Sequence, residues 1–293
     1  MMDLWHSIIS ALPFEWAEYG FMRNALLAVL ISSPVFAAMG TLVVNNRMAF
    51  FSDAIGHASL TGVGLGVLLG MADPQWALTG FALMLGLGIL IAQRLSGTAM
   101  ETIISLSTSF TIALGVVLLS RGGNFNKFTH YLVGDLLSIT SPEVGRLVVA
   151  CAAIALWLCW GYNRVLFAGI NECLARSRGW NVFGTQLIFA AAIVLLVSMN
   201  LRWVGILIVN SLLILPAAAA RNVAANTRQY VCIAMFVAVI SGVAGLLISF
   251  YAGTATSATV VLCTMGCFGF TLIMRAFGTG PKGPCSHGIG GGC

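Results

Sequence analysis

The chain is predicted to be an all-α, polytopic membrane bundle of about nine transmembrane helices (eight to ten). Three observations carry that prediction. Of 293 residues, 59% are hydrophobic and 8% charged, against about 25% charged in ordinary soluble domains. The uncharged runs reach the roughly 17 to 25 residues that cross a hydrocarbon core of about 30 Å. The alternation of a membrane barrel is missing, which leaves helices as the way to satisfy the backbone in lipid.

The uncharged runs fall at 24–44, 54–72, 76–93, 102–120, 147–163, 182–200, 203–220, 229–250 and 255–274. The last two belong to one stretch from Gln229 to Met274, too long for one helix, and Tyr251-Ala252-Gly253-Thr254 is its turn. Residues 1–18 read as an N-terminal interfacial segment, 19–277 as the transmembrane domain, and 278–293 as a flexible glycine-rich tail. The N-terminus has no basic region and carries Asp3, Glu15 and Glu18 ahead of the first span, which argues against a cleaved signal peptide.

Orientation follows from Lys and Arg. With the N-terminus outside, Arg47, Arg94, Arg164, Arg176, Arg178, Arg221, Arg228, Arg275 and Lys282 lie inside. Arg23, Arg121, Lys127, Arg146 and Arg202 are left outside, so the count is nine against five.

Two loops exceed connector length. Arg121 to Arg146 lies outside and is so apolar that it is expected to fold back as a re-entrant or interfacial segment. Arg164 to Asn181 lies inside and mixes charge with apolar residues. Its centre, Asn171 to Gly179, reads as a short amphipathic helix closed by glycine. Many of the 33 glycines fall inside spans, where small residues let helices approach closely.

Composition also excludes functions. The net charge of +5 is scattered without a basic run, so a nucleic-acid partner is not expected. Cys151, Cys159, Cys232, Cys263 and Cys267 sit in apolar runs as small hydrophobes, and no disulfide framework follows. Neither H-E-x-x-H nor a paired catalytic constellation occurs within the spans, so the chain is not expected to be an enzyme.

Asp53 and His57 lie four residues apart at the mouth of an apolar segment, so on a helix they share one face. An aspartate at a membrane-helix centre costs roughly 2.5 to 3.5 kcal/mol, and less nearer the interface. A divalent cation between the two groups would offset that cost. The competing reading makes Asp53 a helix cap near the inner end of its span and His57 an interior histidine. Capping leaves the histidine unexplained, and a polar pair on one face of a membrane helix is a functional candidate. One copy supplies two ligands; two facing copies would supply two carboxylates and two imidazoles, a set suited to Zn²⁺ or Mn²⁺.

Pro216 removes a backbone donor inside a span and is expected to kink it or make it flexible. Asn210 and Ser211, just before it, either line a path or hydrogen-bond between helices. His130, Asp135 and Glu143 form either an acidic external entrance that concentrates cations or a set of solvated loop charges. Cys285, His287 and Cys293 place soft ligands on the tail, at a spacing that matches no standard zinc site.

Three blocks carry a resemblance. Arg47-Met48-Ala49-Phe50-Phe51-Ser52-Asp53-Ala54-Ile55-Gly56-His57-Ala58-Ser59-Leu60 resembles the signature after the first span of ATP-binding-cassette permeases for zinc and manganese. Tyr131-Leu132-Val133-Gly134-Asp135-Leu136-Leu137-Ser138-Ile139-Thr140 is similar to that family's external-loop motif, and Val204 to Arg221 to its other strong block. The three stand in the right order between about residues 20 and 275, with the bacterial zinc-uptake branch the nearest likeness.

The resemblance implies a homodimer in the bacterial plasma (inner) membrane, working with two copies of a separate ATPase and an extracytoplasmic metal-binding protein. It implies Asp53 and His57 as metal residues. It also implies that Asn171, Glu172, Ala175, Arg176 and Gly179 form a coupling segment seated in the ATPase, where the residues alone allow a plain surface linker. No permanently bound cofactor is expected: Zn²⁺ or Mn²⁺ is cargo and ATP belongs to the partner. The chain itself has no G-x-x-x-x-G-K-[ST] phosphate loop, in keeping with that division. A secondary transporter using Asp53 and His57 as a proton relay, without an ATPase, is the alternative.

Overall fold

In the computed structural model the described residues are 18–71, 74–121, 134 and 136–277. Residues 1–17 of the proposed segment 1–18, and the proposed tail 278–293 with Cys285, His287 and Cys293, lie outside them, as do His130 and Asp135.

Each predicted run is a helix. They are α1 (Gly20–Asn45), α2 (Phe51–Leu68), α3 (Pro74–Ser96), α4 (Met100–Arg121), α5 (Ser141–Ile170) and α6 (Glu172–Ser177). Next comes a continuous helical run, Val182–Val223, whose 42 residues would measure about 63 Å if straight, twice a hydrocarbon core. It divides into two apolar spans, Val182–Leu201 (α7) and Val204–Val223 (α8). Thr227–Ala252 (α9) and Thr256–Ala276 (α10) complete the bundle. No strand occurs among the described residues.

Eight of these helices are long and apolar enough to cross a membrane. By length and composition these helices make it a multi-pass membrane protein. α2 is not among the eight, although it is 18 residues long, because Asp53, His57 and four glycines dilute its hydropathy. The surface agrees: Trp160, Leu95, Leu106 and Leu262 present large apolar side chains outward, as lipid permits.

α2 packs against α3 and α4, while α1 packs against α5, α9 and the Val182–Val223 run. Phe36, Met39, Phe51, Ile55, Phe189 and Ile193 are among the fully buried side chains where these elements meet. α1 passes α8 so closely at Gly40 that a Cβ there would overlap the backbone carbonyl of Leu213. Such contact lets Cα–H groups meet carbonyl oxygens, an arrangement small residues favour between membrane helices.

The direction change between α7 and α8 sits at Gly205, with φ 76° and ψ 161°, a region essentially open to glycine alone. Gly134, from the external loop, abuts that bend: a Cβ on it would lie 2.5 Å from the Gly205 nitrogen. Pro216 lies inside the helical run, and the non-helical backbone falls at Gly205.

Most of the loop expected to be re-entrant, residues 122–133 and 135, lies outside the described residues, and its end packs on the bundle. A 3₁₀ turn, Leu136–Ser138, precedes buried Ile139, whose carbonyl accepts from the Asn24 side chain at 3.4 Å. The five cysteines in apolar runs are free thiols.

Candidate functional site

α2 begins without a side-chain cap: its N-cap position is Phe50 and no capping hydrogen bond is made. Asp53 is therefore not a cap. It lies in the first turn and His57 one turn later, with His57 Nε2 at 3.8 Å from Asp53 Oδ1. That gap is too long for a hydrogen bond. A metal bound to both at about 2.0–2.2 Å could bridge it.

Burial picks out this pair. Over residues 51–64 the other described side chains of α2 are buried, while Asp53 and His57 are partly open. Their side chains are 38% and 26% exposed respectively. A helix enclosed by its neighbours thus opens where it carries an acid and an imidazole. Metal ligation needs such an opening; a purely structural pair would not.

The opening meets α8. Asn210 Nδ2 donates to Asp53 Oδ1 at 2.7 Å, a distance expected for a hydrogen bond to a carboxylate. Asn210 Oδ1 is buried and has no hydrogen-bond partner. Ser211, its neighbour, is buried with its hydroxyl unpartnered. Asn210 is thus an α8 residue that touches the candidate pair.

This contact places Asp53 along α8; on its own helix it lies in the first turn. Asn210 follows Gly205 by five residues and precedes Val223 by thirteen, about 7.5 Å and 20 Å along a helix. The pair thus lies level with a part of α8 nearer the Gly205 bend than the Val223 end.

The other sequence candidates are dispersed. Glu143 is buried at the start of α5, where its Oε2 accepts from the Thr140 hydroxyl at 2.6 Å and from the Thr140 backbone at 3.0 Å. That is a capping-box role, distinct from the expected acidic entrance. No group of three or more His, Cys, Asp or Glu side chains is gathered among the described residues, so one copy offers two such ligands.

The internal segment takes the expected form. α6 is followed by Gly179 at φ 73°, and Ala175 is buried with Ala168, Val182 and Trp180. Arg176 and Gly179 are exposed, as are Asn171 and Arg178. The Arg178 guanidinium lies 5.4 Å from the Phe167 ring and 5.9 Å from the Trp180 ring, so the segment presents basic groups on an anchored base.

Sequence reasoning left two contributors unassigned. Gly205 was one glycine among many, although its place after Arg202-Trp203 at a span boundary is a usable signal. The pairing of Asn210 with Asp53 had no sequence signal, because 157 positions separate them.

Comparison with known proteins adds the rest. The family model described as "ABC 3 transport family" matches residues 18–275. A "High-affinity zinc uptake system membrane protein ZnuB" of Buchnera aphidicola subsp. Baizongia pistaciae is 30% identical, over 84% of this chain and 93% of its own length. A "Manganese transport system membrane protein MntC" of Listeria innocua is 26% identical, over 84% of this chain and 87% of that one. Among solved structures, "PsaBC from Streptococcus pneumoniae in complex with Fab" superposes with a TM-score of 0.77 at 24% identity, covering 93% of this chain and 95% of that chain. At that identity the likeness speaks for the fold.

Proposed function

The chain belongs to the ABC 3 transport family, and from that membership we propose that it is the membrane-spanning subunit of an ATP-driven importer of divalent transition metal ions, zinc first and manganese next. The observation that carries the cargo is the opening of α2 at Asp53 and His57. Relatives named for zinc and manganese transport support the same cargo.

In this reading two copies face each other and bring two carboxylates and two imidazoles to one ion. An extracytoplasmic binding protein delivers the metal to the cavity between them. Ligation is temporary, since a closed tetrahedral site would hold the ion instead of passing it on. ATP is hydrolysed on separate cytoplasmic subunits, which act on the bundle through residues 171–180. The exposed Arg176 and Arg178 suit an acidic groove there, and the packed Phe167–Trp180 pair, with centroids 6.2 Å apart, stiffens the connection to α5. Access then alternates between the two sides of the membrane.

Reconstituting the chain with its ATPase and binding protein tests the reading. Zn²⁺ accumulation in vesicles is expected to require both proteins and ATP, with Mn²⁺ competing at higher concentration. Accumulation driven by a proton gradient without the ATPase would establish the secondary transporter instead.

The tail has no part in this scheme. Deleting residues 280–293 is expected to leave uptake and metal content unchanged. A drop in either would assign Cys285, His287 and Cys293 a role.

A further inference from the structure

Resting on that reading, we propose that Asn210 is the residue that sets cargo selectivity: it restrains Asp53 in the empty site and supplies an additional oxygen ligand when the ion arrives. Its amide has two ends with different chemistry. An ionised carboxylate only accepts hydrogen bonds, so the 2.7 Å contact with Asp53 must be made by Nδ2. The other end, Oδ1, is then left buried without a donor. A buried amide oxygen without a partner is unfavourable, and Oδ1 is therefore free to serve as an acceptor or ligand.

Metal binding makes use of that oxygen. An ion bound at Oδ1 of Asp53 draws on the lone pairs that accept from Nδ2 and weakens that hydrogen bond. Rotation about the terminal side-chain bond then exchanges the two ends of the amide and turns Oδ1 toward the cation. No proton moves and no covalent bond changes; one amide carbonyl replaces one hydrogen bond.

The added oxygen changes the coordination number. Asp53 and His57 from two copies make four donors, the tetrahedral number that zinc takes. Asn210 from each copy raises the total to six, with four oxygens, which suits Mn²⁺ and its preference for oxygen ligands in octahedral sites. The asparagine thus widens a zinc site to admit manganese.

Uptake competition between Zn²⁺ and Mn²⁺ in cells carrying the complete transporter tests the proposal, with membrane abundance of each variant measured alongside. Asn210→Leu, close in size and without either polar end, is expected to lower the Mn²⁺-to-Zn²⁺ uptake ratio at least about tenfold. Asn210→Asp keeps an oxygen and loses the donor, so it is expected to hold the ratio at or above the unsubstituted value. An unchanged ratio in Asn210→Leu, or an equal fall in both variants, overturns the proposal. Because a ratio is read, a uniform loss of protein does not imitate the effect. Asp53→Ala separates this inference from its premise: if that variant still transports, the site itself is wrong, whereas if it is inactive and the Asn210→Leu ratio is unchanged, the selectivity role alone fails.

Discussion

Asp53→Ala and His57→Ala are each expected to reduce metal uptake to background, a fall of about 100-fold or more, while the protein still reaches the membrane. Replacing groups that merely orient metal ligands costs roughly 10- to 100-fold in affinity or activity, and removing a ligand from a four-donor set should do no less. Folding is expected to survive because both side chains are partly open and neither caps α2. His57→Ala removes an imidazole that makes no hydrogen bond to a described residue, and Asp53→Ala removes one acceptor from Asn210. Metal-dependent growth and radiolabelled Zn²⁺ uptake, normalised to membrane abundance, read the outcome. Normal uptake in both variants would remove the site from the mechanism.

Gly40→Ala is expected to act through assembly. A Cβ at position 40 overlaps the carbonyl oxygen and carbon of Leu213, and both are backbone atoms that no rotamer change can move aside. Inserting bulk into packed cores costs about 1 to 3 kcal/mol, and more where nothing can yield. Here α1 must move away from α8, which also carries Asn210. A loss of 1 to 2 kcal/mol already changes cellular abundance several-fold, so the variant should be scarce in membranes and should unfold from detergent at a lower temperature. Gly88→Ala is the control, since a Cβ there meets no atom within 4 Å. Equal abundance and equal melting of the two variants would show that the close approach is not required.

The two substitutions divide the molecule by how visible each feature was beforehand. Each uncharged run became a helix, because lipid demands about 20 apolar residues per crossing and composition alone reveals such runs. Boundaries shifted: α2 covers Phe51–Leu68 where the uncharged run suggested 54–72, and α5 extends well beyond its run in both directions, to Ser141 and Ile170. Helix ends depend on hydrogen bonding, and charged residues near a membrane surface continue a helix readily. Gly179 was legible as a stop because a helix ending in a left-handed residue favours glycine. Gly40 was not distinguishable from its neighbours, since its importance lies in how near Leu213 comes.

The sequence by itself determined the class of molecule, the positions of its crossings and the acid–imidazole pair on one helical face. These follow from local rules: apolar length, charge distribution and a spacing of four residues. Tertiary structure alone decided the hydrogen bond of that pair to Asn210 and the break in the helical run at Gly205. Each depends on which distant segments come together, and residues as far apart as Asp53 and Asn210 are related only once α2 and α8 have packed.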